Sequence, residues 1–119
     1  MRIGELAART GASRRSLRYY EEQGLLVSVR SASGQRLYGD AHVPRVRLIQ
    51  AFLAAGLSTG TIAEMVPCMA EPSADGARRA VELLERERAR VSAVMDGLAA
   101  ARSALDDLIE DNRRYLTRP

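Results

Sequence analysis

Between residues 76 and 116 the chain carries no proline, and Leu84, Val91, Leu98 and Leu105 recur at intervals of seven. Recurrence at seven over four repeats marks the seam of a coiled coil. Three residues beyond these positions, and beyond Asn112 at the next interval, stand Glu87, Val94, Ala101, Leu108 and Tyr115, and four beyond stand Arg88, Met95, Arg102, Ile109 and Leu116. Both series become more apolar toward the carboxyl end, so pairing should be strongest from about residue 91 onward. The spacing predicts one helix over 76–116, about 60 Å long at 1.5 Å per residue. Its interface is read as Leu84, Val91, Val94, Met95, Leu98, Ala101, Leu105, Leu108, Ile109 and Tyr115. No other segment is left to cover so long a stripe, so the helix requires a partner chain. The alternative is an ordinary core helix folded back on the amino-terminal half. The residues alone leave parallel and antiparallel pairing open.

The first 70 residues read as a separate small domain. Ile3, Leu6 and Ala7 fall at helical spacing and Gly11 stands where a helix would stop, predicting a first helix over about 3–10. Ser13 is placed to cap a second helix over 13–23, with Leu17 and Tyr20 facing inward. Two short helices about a tight, glycine-containing turn form a helix-turn-helix. On the second, Arg15, Arg18 and Tyr19 share a face, with Arg14 beside them. Arginine forks on that helix suit guanine edges and phosphates; a plain solvated face is the competing reading. Residues 27–38 then hold two short runs around Ser31-Ala32-Ser33-Gly34, a hairpin in which Leu37 faces one way and Arg36 and Tyr38 the other. A hairpin after a helix-turn-helix is a wing, and Arg30, Arg36 and the Tyr38 hydroxyl suit flanking phosphates. Asp40 is placed to cap a third helix over 41–55, and Ser58 or Thr59 a fourth over 58–66. Pro67 and Pro72 mark a break, leaving 71–75 as a linker.

Charge supports this division. The chain has 18 basic side chains, all arginine, and a net charge of +3. Residues 1–47 hold nine arginines against four carboxylates, while residues 48–119 hold nine against eleven. A basic amino-terminal half is the footprint of a nucleic-acid contact. Lack of lysine excludes phosphate-loop and Schiff-base lysine chemistry. With one histidine and one cysteine, a zinc site of three or four such ligands cannot be built within one chain. No enzymatic activity, cofactor or metal is expected. The lone cysteine fits a reducing compartment. The opening residues lack a secretory apolar segment, and the longest apolar run, Ala51–Ala55, is far too short to span a membrane. The expectation is a cytoplasmic protein with no membrane partner.

The strings Ile3-Gly4-Glu5-Leu6-Ala7, Leu17-Arg18-Tyr19-Tyr20-Glu21, Gly24-Leu25-Leu26 and Arg36-Leu37-Tyr38, in this order, resemble the MerR family of bacterial transcription regulators. The likeness runs motif by motif to about residue 66, and beyond it in architecture only. It implies a mainly α fold: a winged helix-turn-helix DNA-binding domain, then a long dimerisation helix pairing antiparallel in a homodimer. It further implies binding to a pseudo-palindromic operator in double-stranded promoter DNA, acting on RNA polymerase there. The spacer would be bent and untwisted in response to an unidentified effector, a form of indirect readout. Carried over by position, Arg18 and Tyr19 match contacts from the second helix, with Tyr20 alongside; Arg36 and Tyr38 match wing contacts. Ser13, Arg14, Arg15 and Ser16 occupy the base-reading start, and Ser58 falls in a second wing. Two positions depart from the pattern: Gln35 stands where the family often has an aromatic, and Gly60 replaces an acidic or long residue. No cysteine follows Cys68, which argues against the metal and iron–sulfur sensing of family members that place cysteines there. No separate drug-binding domain is expected.

Cys68, just before the linker, stands where a thiol or metal sensor would couple to the DNA-binding part; its plainer reading is a small buried hydrophobe. His42 reads as structural, and Met65, Met69 and Met95 as core filler. Leucines and valines near 81–98, with the fourth helix, would line a pocket for a compact apolar effector. Two functional classes remain: an effector-responsive promoter regulator, and an effector-independent architectural DNA-bending protein of the excisionase type. The long dimer helix favours the regulator, because a dyad sets half-site spacing.

Overall fold

A computed structural model of the chain describes residues 1–69 and 72–119. Residue 70, the expected end of the DNA-binding domain, and residue 71, the first of the expected linker, lie outside the described residues. The described chain is mainly helical and divides into two compact units, Met1–Ala80 and Val81–Pro119.

In the first unit α1 (Ile3–Thr10) and α2 (Arg14–Glu22) form the helix-turn-helix. Gly11 takes φ +74°, a left-handed conformation that costs little only without a Cβ, and its N–H closes on Ala7 O at 2.9 Å. Ser13 then caps α2, its hydroxyl accepting the Ser16 N–H at 3.0 Å. The wing is β1 (Val29–Arg30) and β2 (Arg36–Leu37), antiparallel, with Val29 opposite Leu37 and Arg30 opposite Arg36. Helices α3 (His42–Ala54) and α4 (Thr59–Met69) follow. Helix α1 packs on both α2 and α3, and α3 on α4. The core is aliphatic: Leu6, Leu17, Leu25, Leu26, Val46, Ile49, Ile62 and Met65 are fully buried.

Four local features differ from the sequence reading. Asp40 does not cap α3; its carboxylate accepts a hydrogen bond from Arg9 at 3.3 Å. His42 serves that helix start instead, Nδ1 accepting the Gly39 N–H at 2.9 Å while Nε2 lies 2.6 Å from Val27 O. With Nδ1 accepting, the ring proton belongs on Nε2 and is donated to Val27, tying α3 to the chain entering the wing. Tyr38 does not face outward. It lies past the end of β2, where strand alternation no longer holds, and Met1 fixes it in place. The Met1 ammonium donates to Tyr38 O at 2.6 Å, and the Tyr38 N–H donates to Met1 O at 2.7 Å. The ring turns into the core, 3% exposed, with the His42 imidazole edge-on at 5.4 Å.

Pro67 does not end α4, which continues to Met69. A proline in the last turn forfeits a single i to i−4 bond, and its fixed φ suits the helix. Helix α5 (Ala74–Leu116) starts earlier than expected, because Ser73 caps it by accepting the Gly76 N–H at 2.9 Å. Its first turn lies close on α4: a Cβ at Gly76 would stand 2.9 Å from the Ser73 hydroxyl and 3.4 Å from the Cys68 carbonyl oxygen.

The second unit is the continuation of α5, helical to Leu116. Leu84, Val91, Val94, Met95, Leu98, Leu105, Leu108, Ile109 and Tyr115 are all exposed, as is Ala101. Leu98 retains 65% of its surface and Tyr115 71%. The buried position on α5 is Leu83.

Candidate nucleic-acid interface

The nine arginines of the basic half fall into two groups. Arg9 pairs with Glu5 at 3.5 Å and with Asp40. Arg47 donates to Arg9 O at 3.3 Å, joined at the end of α1 by Gln50, which donates to Thr10 O at 3.2 Å. Arg45 donates to Met69 O at 3.4 Å. Cations on terminal helix carbonyls satisfy orphan acceptors and oppose the helix dipole. These three arginines are structural. Arg2, Arg14, Arg15, Arg18, Arg30 and Arg36 remain.

Arg14, Arg15, Arg18 and Tyr19 lie exposed on α2, and the three arginines make no hydrogen bond or ion pair among the described residues. The capping interaction of Ser13 explains why they project: it starts the helix one residue before Arg14 and leaves Leu17 and Tyr20 to the core. Ser13 and Ser16 are joined to each other, hydroxyl to hydroxyl, at 2.9 Å. Gly4 accommodates Arg14, whose Nη2 would stand 2.6 Å from a Cβ added there. The absent side chain lets the guanidinium lie across the first turn of α1.

Arg30 and Arg36 face each other across the wing. Like charges at directly opposed sheet positions repel. Two contacts hold them. Arg30 donates across the turn to Gly34 O at 2.8 Å, and Gly34, at φ +83°, makes that turn accessible. Arg36 Nε stands 2.7 Å from Glu21 Oε2 as an ion pair, off-line for a directed hydrogen bond. The other oxygen of Glu21 accepts from the Ser28 N–H at 3.3 Å and from the Ser28 hydroxyl. Glu21 thereby fastens the end of α2 to the wing, so helix and wing present their arginines as one surface. Sequence reading carried Glu21 only as part of the Leu17–Glu21 string; the change from Arg-Tyr-Tyr to a carboxylate was the available signal.

Between the start of α1, α2 and the wing lies an open cleft of about 300 Å³, lined by Arg2, Arg18, Arg30 and Arg36 with Ile3 and the Gly34-Gln35 turn. No carboxylate lines it. Arg2 was passed over in the sequence because it precedes the first periodic residue. The structure thus brings Arg18, Arg30 and Arg36 together, as read, and adds Arg2. Ser58 is exposed elsewhere, at the start of α4, where its hydroxyl accepts the Thr61 N–H at 3.1 Å.

Tyr20 and Tyr38 do not join the exposed set. Tyr20 is 6% exposed, and burial pushes its phenol pKa up. Burial also raises that of Tyr38, as does the Glu21 carboxylate, against weaker lowering by Arg36, Ser28 and Arg30. The Tyr38 hydroxyl makes no hydrogen bond of ordinary geometry among the described residues; the nearby Ser28 commits its proton to Glu21. Both tyrosines are core rings: Tyr20 as its inward position on α2 predicts, although it was also placed alongside the DNA contacts, and Tyr38 against its expected outward face on the wing. Cys68 is half-buried on the last turn of α4. Among the described residues no three of His, Cys, Asp and Glu cluster as metal ligands, and no helix is long and apolar enough to cross a membrane.

Comparison with known proteins matches the MerR HTH family regulatory protein over residues 1–67. The HTH-type transcriptional regulator CueR of Salmonella typhi is 30% identical over 107 residues, covering 84% of this chain and 78% of that protein. Among solved structures, the transcription regulator PbrR691 from Ralstonia metallidurans, in complex with lead(II), superposes with a TM-score of 0.78 at 30% identity. That match covers 91% of this chain and 84% of the other. HiNmlR, a regulator lacking the sensor domain and bound to promoter DNA, shares the fold at a TM-score of 0.60 and 21% identity, covering 95% and 90%.

Proposed function

This chain belongs to the MerR family of helix-turn-helix regulatory proteins, and from that membership we propose that it binds a pseudo-palindromic promoter operator as a homodimer. It is a DNA-binding transcription regulator of the MerR type. Two copies pair antiparallel through the exposed stripe of α5. The two arginine faces then meet successive half-sites, which lie about one helical turn apart in a two-fold operator. Arg14, Arg15 and Tyr19 enter the major groove, and Arg18, Arg30 and Arg36 hold the phosphates beside it. The bound dimer bends and untwists the spacer and so changes how RNA polymerase engages the promoter, under the control of an effector.

The observation that carries this reading is the joining of α2 to the wing through Glu21, which places the cations of both elements on one surface beside Arg14, Arg15 and Arg18, which have no partner among the described residues. The seam rests on the exposed series from Leu84 to Tyr115. The test is a footprint on duplexes selected by the purified protein, followed by transcription from the selected promoter with and without oxidants, metals and small apolar compounds. Two protected half-sites flanking a hypersensitive spacer, with effector-dependent transcription, is the expected result. Distortion with no effect on transcription under any condition would favour an architectural DNA-bending protein instead.

A further inference from the structure

We propose that the cleft between the start of α1, α2 and the wing seats one phosphate of the DNA backbone, and that Arg2 is a DNA-contacting residue in it. This rests on the DNA-binding reading above and extends it to a part of the chain outside the helix-turn-helix and wing.

Four arginines line the cleft and no acidic residue does. Glu21 pairs with Arg36 at 2.7 Å. Like charges gathered around a cavity raise the energy of the free protein, and a bound anion removes that cost. At about 300 Å³ the cleft is open to solvent and roomy enough for a phosphate with part of its hydration. Guanidinium groups suit such a group because each offers paired donors to two oxygens.

Arg2 is not on a loose end. On one side Met1 exchanges two backbone hydrogen bonds with Tyr38, at 2.6 and 2.7 Å. On the other, Ile3 opens α1, and Arg2 is itself the N-cap residue, its carbonyl accepting from Glu5 and Leu6 at 3.1 and 3.2 Å. The backbone of Arg2 is therefore held between wing and helix, and its side chain makes no hydrogen bond or ion pair among the described residues. No side chain caps α1, so the positive end of that helix adds to the field at the cleft.

The measurement is binding of the full-length protein to a mixed-sequence duplex from about 50 to 200 mM salt. Loss of one phosphate contact per chain makes the log–log slope shallower by about 0.9 for each face bound, hence by about 1.8 for the homodimer. Arg2→Ala should do this and weaken binding at low salt, Arg2→Lys should keep most of the slope, and Arg9→Ala should leave it unchanged. An unaltered slope in Arg2→Ala, beside an Arg18→Ala slope that falls, overturns this proposal and spares the DNA-binding reading. A wild-type protein with no duplex binding overturns both. A parallel melting series in inorganic phosphate at constant ionic strength distinguishes the source of the phosphate. An Arg2-dependent rise in Tm with no Arg2 effect on the duplex slope would make the cleft a free-anion site and overturn the DNA assignment.

Discussion

Arg18 projects from α2 with no partner among the described residues, while Tyr38, read from the same set of motifs, lies with 3% of its surface exposed. The difference predicts opposite outcomes. Arg18→Ala should lower affinity by a similar factor on all duplex sequences and flatten the salt slope by about one unit for each face bound. A change of preference at one base pair with an unchanged slope would instead make Arg18 a base reader. Tyr38→Phe should leave affinity within about twofold, since a buried hydroxyl touches no phosphate, and stability at neutral pH within about 1 kcal/mol, since no well-formed hydrogen bond is lost. Its effect belongs at alkaline pH. Folding favours the protonated phenol, because the folded pKa lies above the unfolded value near 10. That contribution is complete below about pH 10 and is lost as pH rises through the folded pKa. The wild-type Tm should fall above about pH 10, and Tyr38→Phe should fall less. Equal slopes in the two proteins would mean that Tyr38 is reached by solvent.

At the scale of elements, the helices were legible because each carries its own periodicity and stop: Leu6 and Ala7 before Gly11, Leu17 and Tyr20 after Ser13, Val46 and Ile49 before Gly56. The junctions were not, because their partners are distant in sequence. Nothing local tells that Met1 will pair with Tyr38, that Arg9 will take the carboxylate of Asp40, or that Glu21 will reach Ser28 and Arg36. The same limit hid half of the candidate site. Its face on α2 follows from helical spacing, while the cleft exists only once the chain start and wing meet. The α4–α5 junction illustrates the local exceptions. Pro67 looked like a break but falls where one bond is lost, and Gly76, expected as the first residue of the long helix, is a close-approach position inside α5. A branched side chain there must displace the Ser73 cap and press on the Cys68 carbonyl. Gly76→Val should therefore cost about 1–3 kcal/mol, read as a lower urea midpoint at fixed protein concentration. An unchanged midpoint would show that the two helices separate without cost.

For the whole molecule, the decisive quantity is how apolar surface and charge divide along the chain. The basic surplus of the first 47 residues shrinks to a working face once Arg9, Arg45 and Arg47 are assigned to carboxylates and helix ends. The arginines of α5 are interleaved with acids, as in Arg78 with Asp75, Arg90 with Glu87 and Arg114 with Asp111. Exposed pairs of this kind contribute little to stability. Interleaving keeps one face of α5 hydrated and leaves its other surface to Val91, Leu98 and Leu105. A leucine buried by a partner contributes about 1.5–3 kcal/mol, so several repeats suffice to hold two chains together. Glutamate is a good helix former, so Leu98→Glu or Leu105→Glu should leave α5 helical in one chain while placing two carboxylates in the paired seam. The expected result is monomer mass by light scattering, helicity by circular dichroism close to wild type, and a DNA salt slope roughly halved because one arginine face binds in place of two. A stable dimer carrying either change would remove the seam from this surface of α5, and monomers with the full wild-type slope would show that a single face makes all the phosphate contacts.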